Sequence, residues 1–146
     1  MRLEELCARS EQCSGEVREK LRRWEIGDRD AEAILKSLIS RRFVDDSRFA
    51  GAFVRDKYRY GKWGRRKIAA ALYAKRVDRD IIDSALADID EEEYEAVLRA
   101  LLKLKIKTTG PLDVYENRMR LLRFAVGRGF EPQLVSRLLA QLQKNH

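Results

Sequence analysis

One apolar spacing, spelled three times, constrains this chain more than any other feature. Ile26, Val77 and Phe130 lie 51 and 53 residues apart. Aligning them places Val17, Ile68 and Leu121 nine residues earlier, and Leu21, Leu72 and Ala125 five earlier. Downstream, Ile34, Ala85 and Leu138 fall eight later, Leu35, Leu86 and Leu139 nine later, and Leu38, Ile89 and Leu142 twelve later. All fifteen flanking positions are apolar in a chain that is 45% hydrophobic. Coincidence is a poor account of that; tandem repeats are a better one. Within each copy the offsets are those of amphipathic helix faces, and no stretch alternates as a half-buried strand would.

Capping and breaking residues divide the chain in the same way. Leu3, Leu6 and Cys7 make a first stripe, and Ser14 predicts the N-cap of a helix with Val17, Leu21 and Trp24 inward. Gly27 ends it, and Asp28 caps a helix carrying Ala31, Ile34, Leu35 and Leu38. Asp46 predicts the cap of the next helix, with Phe49, Phe53 and Tyr60 on one stripe and Arg55, Tyr58, Arg59 and the following Lys62 roughly opposite. Trp63-Gly64 breaks that helix, Ile68 and Leu72 line its successor, and Asp78 caps one with Ile81, Ile82, Ala85, Leu86 and Ile89 inward. Asp90 and Glu93 spell a capping box ahead of Tyr94, Val97, Leu98, Leu101 and Leu102. Thr108-Thr109-Gly110-Pro111 is a strong breaker, and Pro132 suits the first position of a last helix. The expectation is an all-α, elongated array of three tandem three-helix repeats, about nine helices in all, divided as 1–44, 45–89 and 90–146. A module of ~45 residues buries too little surface to be secure alone, so each leans on its neighbour.

Positive charge is concentrated at the centre. Residues 55–79 hold ten basic side chains (Arg55, Lys57, Arg59, Lys62, Arg65, Arg66, Lys67, Lys75, Arg76 and Arg79) and two acidic ones, a balance of +8 against +7 for the whole chain. The remainder is about neutral, and the pI near 9.6 favours a polyanionic partner: nucleic acid, a nucleoprotein or an acidic protein surface. Arg65, Arg66 and Lys67 occupy the first turn of a predicted helix, where each cation costs up to ~1 kcal/mol against the macrodipole. Free N–H groups beside three cations suit an anion. Tyr58, Tyr60, Trp63 and Tyr73 interleave with these charges, a composition found where single-stranded bases stack. Helical spacing assigns Tyr60 and Tyr73 to the core and leaves Trp63 the exposed role. The candidate binding residues are Arg55, Tyr58, Arg59, Lys62, Trp63, Arg65, Arg66 and Lys67.

Catalytic constellations are missing. There is no G-x-x-x-x-G-K-[ST] motif, the only histidine is His146, and the two cysteines, Cys7 and Cys13, cannot complete a zinc site. A binder is expected rather than an enzyme, with no cofactor, no metal, and reduced thiols in a cytoplasmic setting. The N-terminus is charged throughout, and the longest apolar run, residues 68–74, is far short of a membrane span. The acidic run at 88–95 reads as a helix start.

Arg42-Phe43-Val44-Asp45-Asp46-Ser47-Arg48-Phe49-Ala50, then Ala52-Phe53-Val54-Arg55 and Gly64-Arg65-Arg66-Lys67-Ile68, resemble the RecX family, regulators of the bacterial recombinase RecA. Ala8-Arg9-Ser10-Glu11-Gln12-Cys13-Ser14 and Val17-Arg18-Glu19-Lys20-Leu21 resemble that family's first module; Gly129-Phe130 and the closing leucines resemble its last. The family often carries proline after the glycine, where this chain has Arg65. The resemblance implies a curved helical protein that lies in the groove of the RecA–single-stranded DNA filament, bridges protomers, lowers ATP hydrolysis and blocks filament growth or strand exchange, in DNA recombination, repair and the SOS response. It implies that Arg55, Arg59, Lys62, Arg65, Arg66 and Lys67 face the acidic groove or its DNA, while Asp45, Asp46 and Phe49 are cap and core. The expected partners are the RecA nucleoprotein filament and single- or double-stranded DNA, engaged by a monomer. The residues themselves leave open a nucleic-acid-binding module acting without RecA, and a helical scaffold for an acidic protein.

Overall fold

The computed structural model describes residues 13–41 and 44–145. The stripe expected at Leu3, Leu6 and Cys7 lies outside the described residues, as do Ala8 to Gln12, Arg42, Phe43 and His146. Among the described residues there are eight α-helices and no strand. They are α1 (Ser14–Arg23), α2 (Asp28–Ser40), α3 (Asp46–Arg59), α4 (Arg65–Ala74), α5 (Arg79–Ala87), α6 (Glu91–Thr109), α7 (Tyr115–Gly127) and α8 (Pro132–Lys144).

The threefold spacing has a local physical cause. After α1, α4 and α7 the chain turns through a left-handed residue: Glu25 at φ 60°, Arg76 at φ 62° and Gly129 at φ 98°. The next residue then donates its N–H to the carbonyl five residues back, Ile26 to Leu21, Val77 to Leu72 and Phe130 to Ala125, at 3.1–3.2 Å. The left-handed residue itself donates to the carbonyl three back, Arg22, Tyr73 or Val126. This is the Schellman termination, which pairs an apolar residue just past the helix with one in its last turn. The aligned positions of the sequence are that pair and the helix faces on either side of it. None of them is exposed.

By packing, the chain falls into two compact units, with divisions inside α3, inside α4 and between α5 and α6. The first takes the described residues through Phe53 together with Ala71–Ala87. Its buried cluster is Val17, Leu21, Leu35, Leu38 and Val44, with Ile26, Ala31 and Ile34 packed against it. The start of α1 lies so close to the end of α4 that a Cβ on Gly15 would meet the Lys75 carbonyl oxygen at 1.8 Å. The second unit takes Val54–Ala70 with the chain from Asp88 onward. An aromatic row runs through it: Tyr58 meets Tyr94 edge-on at 6.1 Å between centroids, and Tyr94 meets Phe130 at 5.4 Å. All three are fully buried.

Several caps differ from the sequence expectation. Ser14 is the first residue of α1 and does not cap it. Its N–H and hydroxyl instead donate to the two carboxylate oxygens of Asp46, at 2.7 and 2.5 Å. Asp46 therefore serves α1, and its own helix is capped one residue earlier, where Asp45 Oδ1 accepts from the Arg48 N–H at 3.0 Å. Gly27, not Asp28, holds the N-cap position of α2. Asp90 caps α6 as spelled, accepting from the Glu93 N–H at 3.1 Å.

Candidate functional site

The α3–α4 turn collects most of the residues singled out for binding, and it is held from the α7–α8 turn. The Gly64 N–H donates to the Arg128 carbonyl at 2.8 Å, and the Arg66 N–H donates to the Gly129 carbonyl at 3.0 Å. Arg128 returns the contact, donating from Nε to the Lys62 carbonyl (2.9 Å) and from Nη2 to the Gly61 carbonyl (2.5 Å). The approach requires glycine on both sides. A Cβ on Gly64 would lie 2.2 Å from the Gly129 carbonyl carbon, and one on Gly129 would lie 2.5 Å from the Lys67 backbone nitrogen.

This docking takes up two of the N–H groups at the helix end expected to receive an anion. The Arg65 N–H donates to the Tyr94 hydroxyl at 2.9 Å, and the next N–H is taken by Gly129 as above. The Arg65 side chain turns toward the starts of α6 and α8. Its guanidinium sits 4.0 Å above the Tyr94 ring, donates from Nη1 to Glu131 at 2.6 Å, and pairs through Nη2 with Glu91. Burial opposes charge on Arg65, but its hydrogen bonds to Glu131 and Glu91 outweigh that and hold its pKa above the ordinary value. The Tyr94 hydroxyl completes the group by donating to Glu131 at 2.5 Å. Burial, then that bond, raises its pKa. The cost of a cation in the first turn of α4 is thus offset inside the protein, by carboxylates from the starts of α6 and α8.

The remaining candidates separate into two sets. Tyr58, expected on the outward face of α3, is 1% exposed, because Ala50, Val54 and Tyr58 at i, i+4 and i+8 form the buried stripe. Arg59 is paired with Glu93 at 2.5 Å, and that hydrogen bond is the main cause of its raised pKa. Tyr60 and Tyr73, expected in the core, are 80% and 76% exposed. Tyr60 still bonds as a helical residue, its N–H donating to the Asp56 carbonyl at 3.0 Å, but at ~100° per residue it falls ~200° from Tyr58, opposite the buried stripe. Arg55, Lys62, Arg66 and Lys67 are exposed and Trp63 is half-buried. Lys57 Nζ and Lys67 Nζ lie 4.7 and 4.4 Å from the Trp63 ring centroid. Lys62, left-handed at φ 56°, donates to the Arg59 carbonyl at 2.5 Å. Among the described residues no carboxylate lies within ion-pair reach of Lys62, Arg66 or Lys67.

Arg128, Lys105, Arg120 and Phe124 were not among the sequence candidates. The neutral sum outside the central segment hid them. Residues 80–98 carry eight carboxylates and no cation, whereas residues 99–128 carry eight cations and two carboxylates. A running charge balance would have shown this second basic block. Its contact with the α3–α4 turn is visible only in the fold.

Comparison with known proteins agrees with this architecture. Residues 45–86 match the family model for the second three-helix domain of RecX, and residues 91–139 match that for its third three-helix domain. The chain is 32% identical over 128 residues to the regulatory protein RecX of Lactobacillus gasseri, covering 87% of this chain and 47% of that protein. It is 29% identical over 126 residues to the regulatory protein RecX of Streptomyces coelicolor, covering 86% and 67%. The chain thus spans about half the length of the Lactobacillus relatives it matches. The crystal structure of RecX from Lactobacillus salivarius superposes with a TM-score of 0.86 at 19% identity, over 97% of this chain and 92% of that one. That likeness speaks to the fold. With two successive domain models matched in order, an all-helical fold and regulatory proteins as relatives, this chain belongs to the RecX family.

Proposed function

We infer that the protein regulates RecA by binding the RecA–single-stranded DNA filament, lowering its ATP hydrolysis and restraining filament extension and strand exchange. The observation that carries the reading is the cation set around Trp63, unmatched by carboxylates at Lys62, Arg66 and Lys67, in a chain of this family. Such a surface fits an acidic groove and the phosphates within it. Arg55, Lys57, Lys62, Trp63, Arg66 and Lys67 make the contact. Tyr58, Arg59 and Arg65 hold the presenting turn from behind. The test is RecA's DNA-dependent ATPase with purified protein added. Stoichiometric protein inhibits, and Lys62→Ala/Arg66→Ala/Lys67→Ala weakens inhibition about tenfold or more while the melting temperature stays within the range of surface substitutions. No inhibition by the unaltered protein overturns the reading.

A second reading, a nucleic-acid-binding module acting without RecA, is favoured by Trp63 standing between two lysines, since aromatic rings flanked by cations also hold free single strands. Raising salt separates the two. Inhibition of RecA that persists after free-DNA binding is lost supports the first; inhibition that tracks free-DNA binding at every salt concentration supports the second.

A further inference from the structure

The second basic block joins the α3–α4 turn within one packed unit. Arg120 and Phe124 of α7 and Arg128, its C-cap residue, are spaced i, i+4 and i+8, and because the Arg128 N–H still donates to the Phe124 carbonyl at 3.2 Å the three share one stripe. Lys105 of α6 reaches across to it, with Nζ 4.8 Å from the Phe124 centroid, and the Arg128 guanidinium lies 5.8 Å from the same ring. Arg128 is also bonded to the carbonyls of Gly61 and Lys62, next to Trp63. The result is a continuous succession: Lys105, Phe124 with Arg120, Arg128, then Lys62, Trp63 and Lys67. Among the described residues no carboxylate is within 4.0 Å of the charged groups of Lys105, Arg120, Arg128, Lys62 or Lys67, in contrast to Arg59 and Arg65 on the same unit, which are paired. Phe124 and Trp63 are both half-buried, so neither residue is enclosed.

We propose that this succession is one binding track for a single strand of nucleic acid, running from the α3–α4 turn over Arg128 onto the Lys105–Arg120–Phe124 patch. The proposal deepens the reading given above and rests on it. Charge complementarity supplies the phosphate contacts, and the alternation of cations with rings selects a single strand, whose bases are available to stack, over a duplex or a purely acidic surface. Arg128 is the positioning residue of the track: its two bonds to backbone carbonyls tie the turn bearing Lys62 and Trp63 to the stripe bearing Phe124.

The experiment is fluorescence anisotropy of a labelled oligothymidylate with the full chain over a salt series, run for the unaltered protein, for Lys105→Ala/Arg120→Ala, and for Arg29→Ala/Lys36→Ala on α2 as a charge-matched control. The expected result is a roughly tenfold loss of affinity for the first variant at low salt, and a log–log salt slope shallower by about 1.4, that is ~0.7 for each of two lost phosphate contacts. The control pair keeps the full slope. Phe124→Leu leaves the slope unchanged and lowers affinity for oligothymidylate more than for an abasic strand of equal length. Circular dichroism melting confirms that each variant is folded, and Lys105→Gln/Arg120→Gln serves as a second variant if the alanine pair is not. Equal slopes for the Lys105/Arg120 and Arg29/Lys36 variants overturn the track. So does absence of oligothymidylate binding by the unaltered protein, or equal affinity for polyglutamate. RecA ATPase is measured in parallel, so a track that binds DNA without RecA inhibition refutes the regulatory reading alone.

Discussion

Gly129 combines two demands on a single residue. Its φ of 98° is a conformation side-chain-bearing residues rarely adopt, and its missing Cβ makes room for Lys67 and the start of α4. Gly129→Ala should therefore destabilise the protein by about 2–4 kcal/mol, read from the urea midpoint, well beyond the cost of an ordinary surface change. Asp46 is a second case. Its carboxylate receives two donors from Ser14, whereas Asp45 receives one from its own helix. Asp46→Ala is expected to cost about 2 kcal/mol and Asp45→Ala about 1 kcal/mol; an inverted order would refute the reassignment of the caps. Alkaline pH acts on two further residues. Burial pushes the Cys13 thiol up to about 11 from 9.0, and burial with the Glu131 bond holds Tyr94 above its ordinary 10.0. Above pH 9 for the thiol and above pH 10 for the phenol, the unfolded chain releases a proton that the folded one retains, so this stability is fully present below pH 9 and falls as pH rises, the thiol's share through the 9–11 window. Urea midpoints at about pH 8 and about pH 10.5 measure the fall, and Cys13→Ala/Tyr94→Phe reduces it. The glycine and both aspartates were visible in the sequence. Which donors the aspartates serve was not, because Ser14 and Asp46 are 32 residues apart and meet only on folding.

At the scale of elements, α4 is the instructive one. Its first turn, Arg65-Arg66-Lys67, reads locally as an error in charge placement and predicts an open anion site. The structure places carboxylates from two other helix starts against it, so α6 and α8 keep acidic residues at their own N-terminal ends while compensating a neighbour. Arg65 also uses the backbone N–H that a proline at this position would lack, giving it to Tyr94. A double-mutant cycle of Arg65→Ala and Glu131→Gln should show coupling of about 1–2 kcal/mol, since the pair is part-buried and shares Tyr94. Coupling indistinguishable from zero would mean that the cluster is a solvated surface pair.

At the scale of the whole molecule, the units formed by packing cut across the central repeat inside α3 and α4, while their last division, at Ala87–Asp88, lies within two residues of the repeat boundary expected at 89–90. The second unit needs Val54–Ala70, the end of α3 and the beginning of α4, as well as the chain from Asp88 onward. Tyr58 and Arg65, both from that earlier segment, complete the surroundings of Tyr94. A fragment of residues 90–146 should accordingly show reduced helicity and a broad, non-cooperative melt, whereas residues 54–146 should melt cooperatively, both followed by circular dichroism. A sharp transition in the shorter fragment would show that the third repeat is self-sufficient.

The all-helical character, the threefold repeat and the excess of positive charge near Trp63 were determined by the sequence alone, because each depends on periodicity or on counts along the chain. Apolar spacing encodes helix faces, and the Schellman pair repeats with them. The fate of each cation was decided only by tertiary structure. Arg59 and Arg65 are matched by carboxylates distant in sequence, whereas Lys62, Lys67 and Arg128 lie beyond the reach of any among the described residues. Charge compensation acts over a few ångströms in space, and the folded path of the chain sets which charges are that close.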